Sequence, residues 1–193
     1  VPLGVAAAIR PNSLIDRVAL FLSVAGQAMP SFWFGLILIV VFAIQLGWLP
    51  PSGASTPAHF VMPTIVLGYY AMPAIMRLTR AGMLDVLSSD YIRTARAKGA
   101  PEGRVLFRHA LRNAIIPVVS LAAVQMGFML GGSIVVESIF ALNGAGYLAW
   151  ESIARNDLPT VQALILVFSM FYIVFTFLAD VLNAWLDPRM RSS

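Results

Sequence analysis

The stretch VALFLSVAGQAMPSFWFGLILIVVFAIQL, residues 18–46, contains no charged side chain over its 29 positions. About 20 apolar residues are enough for a helix to cross the hydrocarbon core of a bilayer. A segment in that core must be helical here, because unpaired backbone groups cannot face lipid. Pro30 lies near the middle and removes one backbone hydrogen bond, so the sequence predicts a membrane-spanning helix with a kink or a tilt.

The rest of the chain has the same apolar character. It is 59% hydrophobic and only 11% charged, with a mean hydropathy of +0.82, whereas a soluble domain carries about 25% charged residues. Three further stretches are long enough, or nearly so, to cross: residues 60–76, 114–136 and 158–179. Residues 1–9 are interpreted as a partial span whose beginning is missing. We therefore predict one transmembrane domain over residues 1–193, an all-α polytopic helical bundle.

Basic residues are concentrated on one predicted side of the membrane. Eight of the 13 lie within residues 77–113. Four crossings place this segment on the same side as Arg10, Arg17, Arg189 and Arg191, so 12 of the 13 share that side. An excess of Lys and Arg marks cytoplasmic loops, and an arginine at the bilayer centre costs roughly 2.5–3.5 kcal/mol. Residues 77–113 are therefore predicted to be a cytoplasmic loop.

Within this loop the pattern changes to amphipathic helices. Apolar residues recur at helical spacing from about residue 83 to residue 98, opposite a polar face. Gly99 suits the end of this helix, and Pro101 suits the first turn of a second one. The second helix carries a basic stripe of arginines spaced by four: Arg104, Arg108 and Arg112. The loop is therefore predicted to form a helix-turn-helix.

The residues alone leave two functions open for this loop. Basic amphipathic segments commonly lie on a membrane and hold anionic lipid headgroups. Alternatively, the turn projects into the cytoplasm and docks on a soluble partner, which its small residues would allow to approach closely.

Two runs in the loop carry a specific resemblance: YIRTARAKGA at residues 91–100 and FRHALRNAIIP at residues 107–117. They resemble the loop of binding-protein-dependent ABC importer permeases, and more closely that of the first permease subunit of dipeptide, oligopeptide and nickel importers. The likeness covers nearly the whole chain. It includes Gly131-Gly132-Ser133 with Glu137, Phe140, Gly144 and Gly146, then Asp157-Leu158-Pro159, and finally Asp187-Pro188-Arg189.

The resemblance implies a permease of the ABC importer type I kind, in which this loop is the coupling element that fits a cleft of the ATPase subunit. It places the ATPase-docking surface at Arg93, Thr94, Ala95, Arg96, Ala97, Lys98, Gly99 and Ala100. The partners it implies are a second permease subunit, two ATPase subunits and a periplasmic or extracellular solute-binding protein. The expected location is the bacterial or archaeal plasma (inner) membrane, and the expected cargo is a di- or oligopeptide.

The chain departs from the general importer motif at two positions. Arg93 stands where Glu is usual, and Arg112 stands where Pro is usual. Both departures fit the peptide-permease branch, but they put in doubt any salt bridge assumed from the general motif. Family members usually carry six spans, so the resemblance also implies that an N-terminal portion is missing here.

Neither an active site nor a metal site is predicted. The sequence has no Gly-x-x-x-x-Gly-Lys-[Ser/Thr] phosphate loop, so ATP hydrolysis is expected in a separate partner subunit. It contains no Cys and two His, so no metal or cofactor is expected. The net charge of +4 does not indicate nucleic acid as a partner, because the basic residues lie between long apolar runs.

Few polar side chains interrupt the predicted spans. We predict that Gln27, Gln125 and Ser133 line the translocation pathway, where they could hydrogen-bond to peptide backbones; the alternative is ordinary contact between helices. Two other functions remain open. A secondary transporter or channel fragment would carry ionisable residues deep in its spans, and a membrane anchor would use its basic loop only to bind lipid.

Overall fold

The structure is a computed structural model that describes residues 1–186, and these residues form helices and connecting segments without a strand. The predicted all-α fold is confirmed. The α-helices are α1 (Pro2–Ile9), α2 (Leu14–Ala28), α3 (Ser31–Leu38), α4 (Val61–Leu87), α5 (Asp90–Ala97), α6 (Glu102–Arg104), α7 (Arg112–Ala114), α8 (Ile116–Ile139), α9 (Ala145–Ala154) and α10 (Leu158–Leu186). Two π-helices, Ile39–Gln45 and Val105–Leu111, continue α3 and α6. Asp187-Pro188-Arg189 lies outside the described residues.

A 3-10 helix at Pro57–Phe60 leads directly into α4. Two helices are long and apolar enough to cross a bilayer unbroken: Pro57–Leu87, with 31 residues, and Leu158–Leu186, with 29. Two bent pairs pass the same test together. They are Leu14–Ala28 with Ser31–Gln45, bent by 106°, and Glu102–Ala114 with Ile116–Gly131, bent by 52°. If each pair is one span, residues 1–186 hold up to four crossings. The bounds of the four spans and the partial span given above stay predictions.

At Pro30 the helix is interrupted and not only kinked. Helix α2 ends at Ala28, and Pro30 lies in an extended conformation, with φ −62° and ψ 139°, immediately before α3. Its ring offers no N–H to continue the ladder of α2. Its carbonyl accepts the first hydrogen bond of the next helix, from the N–H of Phe34 at 3.1 Å. One proline thus ends one helix and starts another, and a single crossing by residues 18–46 would have to be a broken one.

Helix α4 continues well beyond the predicted end of its span at residue 76. Met76, Thr79 and Met83 are each at most 2% exposed. They continue one buried face at a spacing of three to four residues, so the helix does not break where the charges begin. The helix predicted from about residue 83 to residue 98 therefore had the wrong start, since α4 runs to Leu87 and α5 follows separately.

The chain forms two compact units. Among the described residues, the first contains residues 1–25, 72–124 and 176–186, and the second contains residues 26–71 and 125–175. The first unit therefore holds the whole predicted cytoplasmic loop. The core of the second unit is an apolar cluster of Leu38, Met62, Val66, Val136 and Phe140.

Asp157-Leu158-Pro159 is a helix-start signal. Thr160 donates its hydroxyl to the Asp157 carboxylate at 2.6 Å and its backbone N–H at 3.2 Å. Both hydrogen bonds lower the pKa of Asp157, and the one from the Thr160 hydroxyl has the larger effect. Pro159 lies in the first turn of α10, where its missing N–H would have had no partner in any case. The beginning of α10 is thus fixed by its own sequence.

Candidate functional site

Residues 90–114 form a helix-turn-helix, which we call the elbow. Its first helix, α5, ends at Ala97, and Gly99 then adopts φ +78°, a left-handed conformation that favours glycine. Pro101 is extended and immediately precedes α6. The predicted turn is therefore present, with Gly99 just after the first helix as predicted, whereas Pro101 lies immediately before the second helix and not in its first turn.

The tip of the elbow is open to its surroundings. Of the predicted docking residues, six are exposed, namely Arg93, Thr94, Arg96, Ala97, Lys98 and Gly99, and two are half-buried, namely Ala95 and Ala100. A Cβ atom added to Gly99 would meet no atom of the chain within 4 Å. Glycine is therefore favoured at this position by its backbone conformation, while a side chain would find open space.

Polar contacts hold the two arms of the elbow together. Arg96 Nε and Nη2 donate to Glu102 Oε1 and Oε2 across the turn, at 2.9 and 3.3 Å. Asn113 Nδ2 donates to the Tyr91 hydroxyl at 2.8 Å. Because these groups are exposed, each contact contributes little to stability. The first contact lies at the turn, and the second joins the ends of the two arms farthest from it.

Beneath these contacts the elbow is built on an apolar cluster. Ile92 of α5 and Val105 and Ala110 of the second arm are fully buried, together with Met83 of α4. Side chains from α1 complete the same cluster. Close-packed interiors of this kind transmit displacement instead of absorbing it. The elbow is therefore joined to α4 and α1 by packing, and not only by the chain.

The basic stripe lies on the second arm as predicted, with Arg104, Arg108 and Arg112 all exposed. Arg112 Nε donates to the backbone oxygen of Leu186 at 3.3 Å, at the last residue of α10, where a cation suits the helix C-terminus. Phe107, which precedes Arg108 in the sequence, is also exposed, at 66%. An exposed aromatic ring among arginines is the composition of a membrane-interface surface.

The most buried charged group among the described residues of the first unit was not predicted from the sequence. Asp16 is 1% exposed, and its Oδ1 and Oδ2 accept from Arg80 Nε and Nη2 at 2.6 and 2.7 Å. Oδ2 also accepts the backbone N–H of Asn12 at 2.9 Å, while the Asp16 N–H donates to Ser13 Oγ at 3.3 Å. This is a bidentate ion pair that joins α2 to α4.

One local signal for Asp16 was present in the sequence. Ser13 followed three residues later by an acidic residue, ahead of an apolar run, is a variant of the capping-box pattern. The pattern places Asp16 in the first turn of a helix. It does not reveal Arg80, which lies 64 positions away.

The second unit contains a cavity of about 720 Å³, which lies within the size range of small-molecule sites. Its polar lining comes from Ser31, Tyr70 and Gln125. The other lining residues are apolar or glycine: Val66, Leu67, Ala71, Gly127, Phe128, Met129, Gly131 and Val136. No charged side chain lines the cavity in the described part of the chain. Its chemistry is that of neutral hydrogen bonding in apolar surroundings.

The structure separates the three predicted pathway residues. Gln125 lines the cavity. Ser133 and Gln27 are not among the lining residues; the hydroxyl of Ser133 lies 2.7 Å from Glu137 Oε1 and donates to it. Of the three, only Gln125 therefore lines this cavity.

The glycines after α8 gather around Glu137. Its Oε2 accepts the backbone N–H of Tyr147, in the first turn of α9, at 2.6 Å. A Cβ atom on Gly144 would lie 2.8 Å from the carboxyl carbon of Glu137, and one on Gly146 would lie 2.8 Å from Ser133 Oγ. These residues make one carboxylate cap that fixes the start of α9. The Gly144-x-Gly146 pair therefore has a structural role.

Residues 1–192 match the family described as the inner membrane component of binding-protein-dependent transport systems. The chain is 43% identical over 189 residues to the glutathione transport system permease protein GsiC of Pectobacterium atrosepticum, covering 98% of this chain and 62% of that protein. It is 45% identical over 188 residues to the protein of the same name from Escherichia coli, covering 97% and 61%. The chain thus spans about three-fifths of the length of these relatives. Together with the elbow, these matches confirm the resemblance read from residues 91–117, and the chain belongs to the family of binding-protein-dependent ABC importer permeases, in the peptide and nickel branch.

Proposed function

We propose that the whole protein is a transmembrane permease subunit of an ATP-driven importer for peptide-like solutes. It forms part of the translocation pathway and docks an ATPase subunit through the elbow, while the ATPase hydrolyses ATP. The observation that carries this proposal is an exposed turn, residues 93–100, mounted on a buried apolar cluster. When a partner displaces such a turn, the displacement is transmitted to the attached helices.

The proposed partners follow from the family and from the two surfaces of the elbow. We assign the tip of the elbow to one of two ATPase subunits, and the basic stripe with Phe107 to anionic lipid at the cytoplasmic face of the plasma membrane. A second permease subunit would complete the pathway, and a solute-binding protein would deliver cargo on the opposite side. The family match disfavours the secondary transporter or channel and the simple membrane anchor, because its description names a binding-protein-dependent transport system.

Replacing Gly99 tests the docking role. Gly99→Asn adds a side chain to the open tip, and Asn tolerates the left-handed conformation better than most residues do. We expect ATPase binding and solute uptake to fall at least tenfold, equivalent to ~1.4 kcal/mol of binding free energy. Binding is measured by co-purification of the ATPase with the full-length complex, and uptake is measured in proteoliposomes.

Gly103→Asn is the matched control, because a Cβ atom added to Gly103 would also meet no atom of the chain within 4 Å, and this glycine lies outside residues 93–100. It should leave ATPase binding and uptake close to those of the unmodified protein. Membrane insertion should persist in both variants. Uptake by Gly99→Asn equal to that of the control would contradict the docking role.

The proposed solute is a small peptide, and glutathione is the first candidate to test. The two relatives described above are named as glutathione transport permeases, and glutathione is itself a tripeptide. The cavity of the second unit supports this class because Ser31, Tyr70 and Gln125 can exchange hydrogen bonds with peptide amides. We propose Gln125 as the principal pathway residue, with Gln27 and Ser133 as further candidates.

Gln125→Leu tests the pathway. The substitution keeps the approximate size of the side chain and removes its hydrogen-bonding groups. We expect glutathione uptake to fall about fivefold, which corresponds to one net hydrogen bond of ~1 kcal/mol. ATPase co-purification should be unchanged, since Gln125 belongs to the second unit and the elbow to the first.

The same change at Gln162 is the control. Gln162 is exposed on α10 and does not line the cavity. Equal uptake by Gln162→Leu and Gln125→Leu, whether normal or reduced, would remove the cavity from the proposed pathway.

A further inference from the structure

We propose that the Asp16–Arg80 ion pair is a positioning link that carries movement of the elbow into helix α2. This inference rests on the proposed function, because it presupposes an ATPase that moves the elbow. It assigns a transport role to two side chains that contact neither the tip of the elbow nor the cavity.

The geometry of the ion pair fixes the relative orientation of its two side chains. Both oxygens of Asp16 accept from the two guanidinium nitrogens, at 2.6 and 2.7 Å, in the fork geometry that only arginine provides. Asp16 is in turn held by the N–H of Asn12 and by Ser13 Oγ at the start of α2. The N-terminus of α2 is therefore fastened to one point on α4.

That point lies next to the elbow's own core. Arg80 and Met83 are one helical turn apart on α4, and Met83 is fully buried in the cluster that contains Ile92 of the elbow. Helix α4 then continues without interruption to Leu87, three residues before the elbow begins. A displacement of the elbow would therefore move α4 at Met83 and pull α2 at Asp16 through contiguous contacts within the first unit.

Stability alone does not account for the charges. Desolvating two ions offsets much of their attraction, and well-packed apolar side chains in the same place are often as stable or more so. Asp16 is the most buried carboxylate that the structure describes, at 1% exposure. A charged pair differs from an apolar contact chiefly in resisting sliding and rotation, which is what a mechanical link requires.

Two variants in the full-length complex separate a link from a structural contact. Arg80→Lys keeps the charge but loses the bidentate fork. The double variant Asp16→Leu with Arg80→Leu replaces the pair by apolar packing. The first readout is the ATP-dependent change in the spectrum of a spin label attached at Phe21→Cys on α2, where the native side chain is 70% exposed. The second readout is glutathione taken up per ATP hydrolysed.

We expect both variants to assemble with the ATPase. The ATP-dependent spectral change and the uptake per ATP should each be roughly fivefold smaller than in the parent protein. This factor is at the low end of allosteric couplings. Arg17→Lys on the exposed side of α2 is the matched control and should respond normally. A normal response from either test variant would overturn the proposal. If the double variant fails to assemble, Arg80→Lys decides alone. A parent protein that does not import glutathione counts against the proposed function, whereas the spin label tests the link independently.

Discussion

The single substitution Asp16→Leu is expected to lower the thermal unfolding temperature of the protein by roughly 10 °C, because it leaves the partly buried Arg80 side chain, 23% exposed, without its carboxylate partner. Arg80 would lose both of its acceptors, and the N–H of Asn12 would lose the oxygen that it contacts at 2.9 Å. Removing both partners is much less harmful, since no buried charge then remains. The single variant should therefore be less stable than the double variant with Arg80→Leu.

This order is measured by thermal unfolding of the purified full-length protein in detergent. Asp85→Leu is the control, because Asp85 is an exposed carboxylate on α4. It should shift the unfolding temperature by no more than a few degrees. An Asp16→Leu protein as stable as the control would show that the pair is not buried as described.

The substitution Gly4→Val is expected to destabilise the first unit by about 1–3 kcal/mol through overpacking. A Cβ atom at Gly4 would lie 2.6 Å from the backbone oxygen of Met76 and 2.8 Å from the Cβ of Thr79. The obstacle is the backbone of α4, so no side-chain rotation can relieve it. Helix α1 would have to move away from α4 and from the cluster that supports the elbow.

Unfolding in detergent measures this effect, and ATPase co-purification reports whether the elbow is also disturbed. Gly68→Val is the matched control on α4, because a Cβ atom there would meet nothing within 4 Å. Both changes place a β-branched residue in a helix, so their difference isolates the steric contact. Equal stability of the two variants would mean that α1 does not pack against α4 at Gly4.

Much of the fold was readable from local pattern. Apolar runs indicated helices, and residues 1–186 form helices and their connections. Gly99 and Pro101 marked the turn of the elbow, where the structure has φ +78° and an extended proline. These predictions succeeded because the φ angle of a glycine and the ring of a proline constrain the backbone only within a few residues of their own position. The start of the helix predicted from about residue 83 was wrong, since α4 continues through the first arginines of the loop to Leu87.

The candidate site was only partly readable. The docking residues 93–100 came from resemblance, and their role stays a prediction. Of the three pathway candidates only Gln125 lines the cavity. The sequence could not separate the three, because a polar residue in an apolar run does not show which face of its helix points to the cavity. The Glu137 cap also needed the structure, although Gly144 and Gly146 already stood out as a pair.

The sequence by itself determined that this protein is helical, is suited to a membrane, and carries a basic elbow closed by Gly99 and Pro101. Those outcomes depend on hydrophobicity and on backbone preferences that neighbouring residues set. Only the tertiary structure decided that Asp16 meets Arg80 across 64 positions, and that Glu137 caps α9. A carboxylate can pair with any donor brought within about 3 Å, and packing of distant helices selects which donor that is.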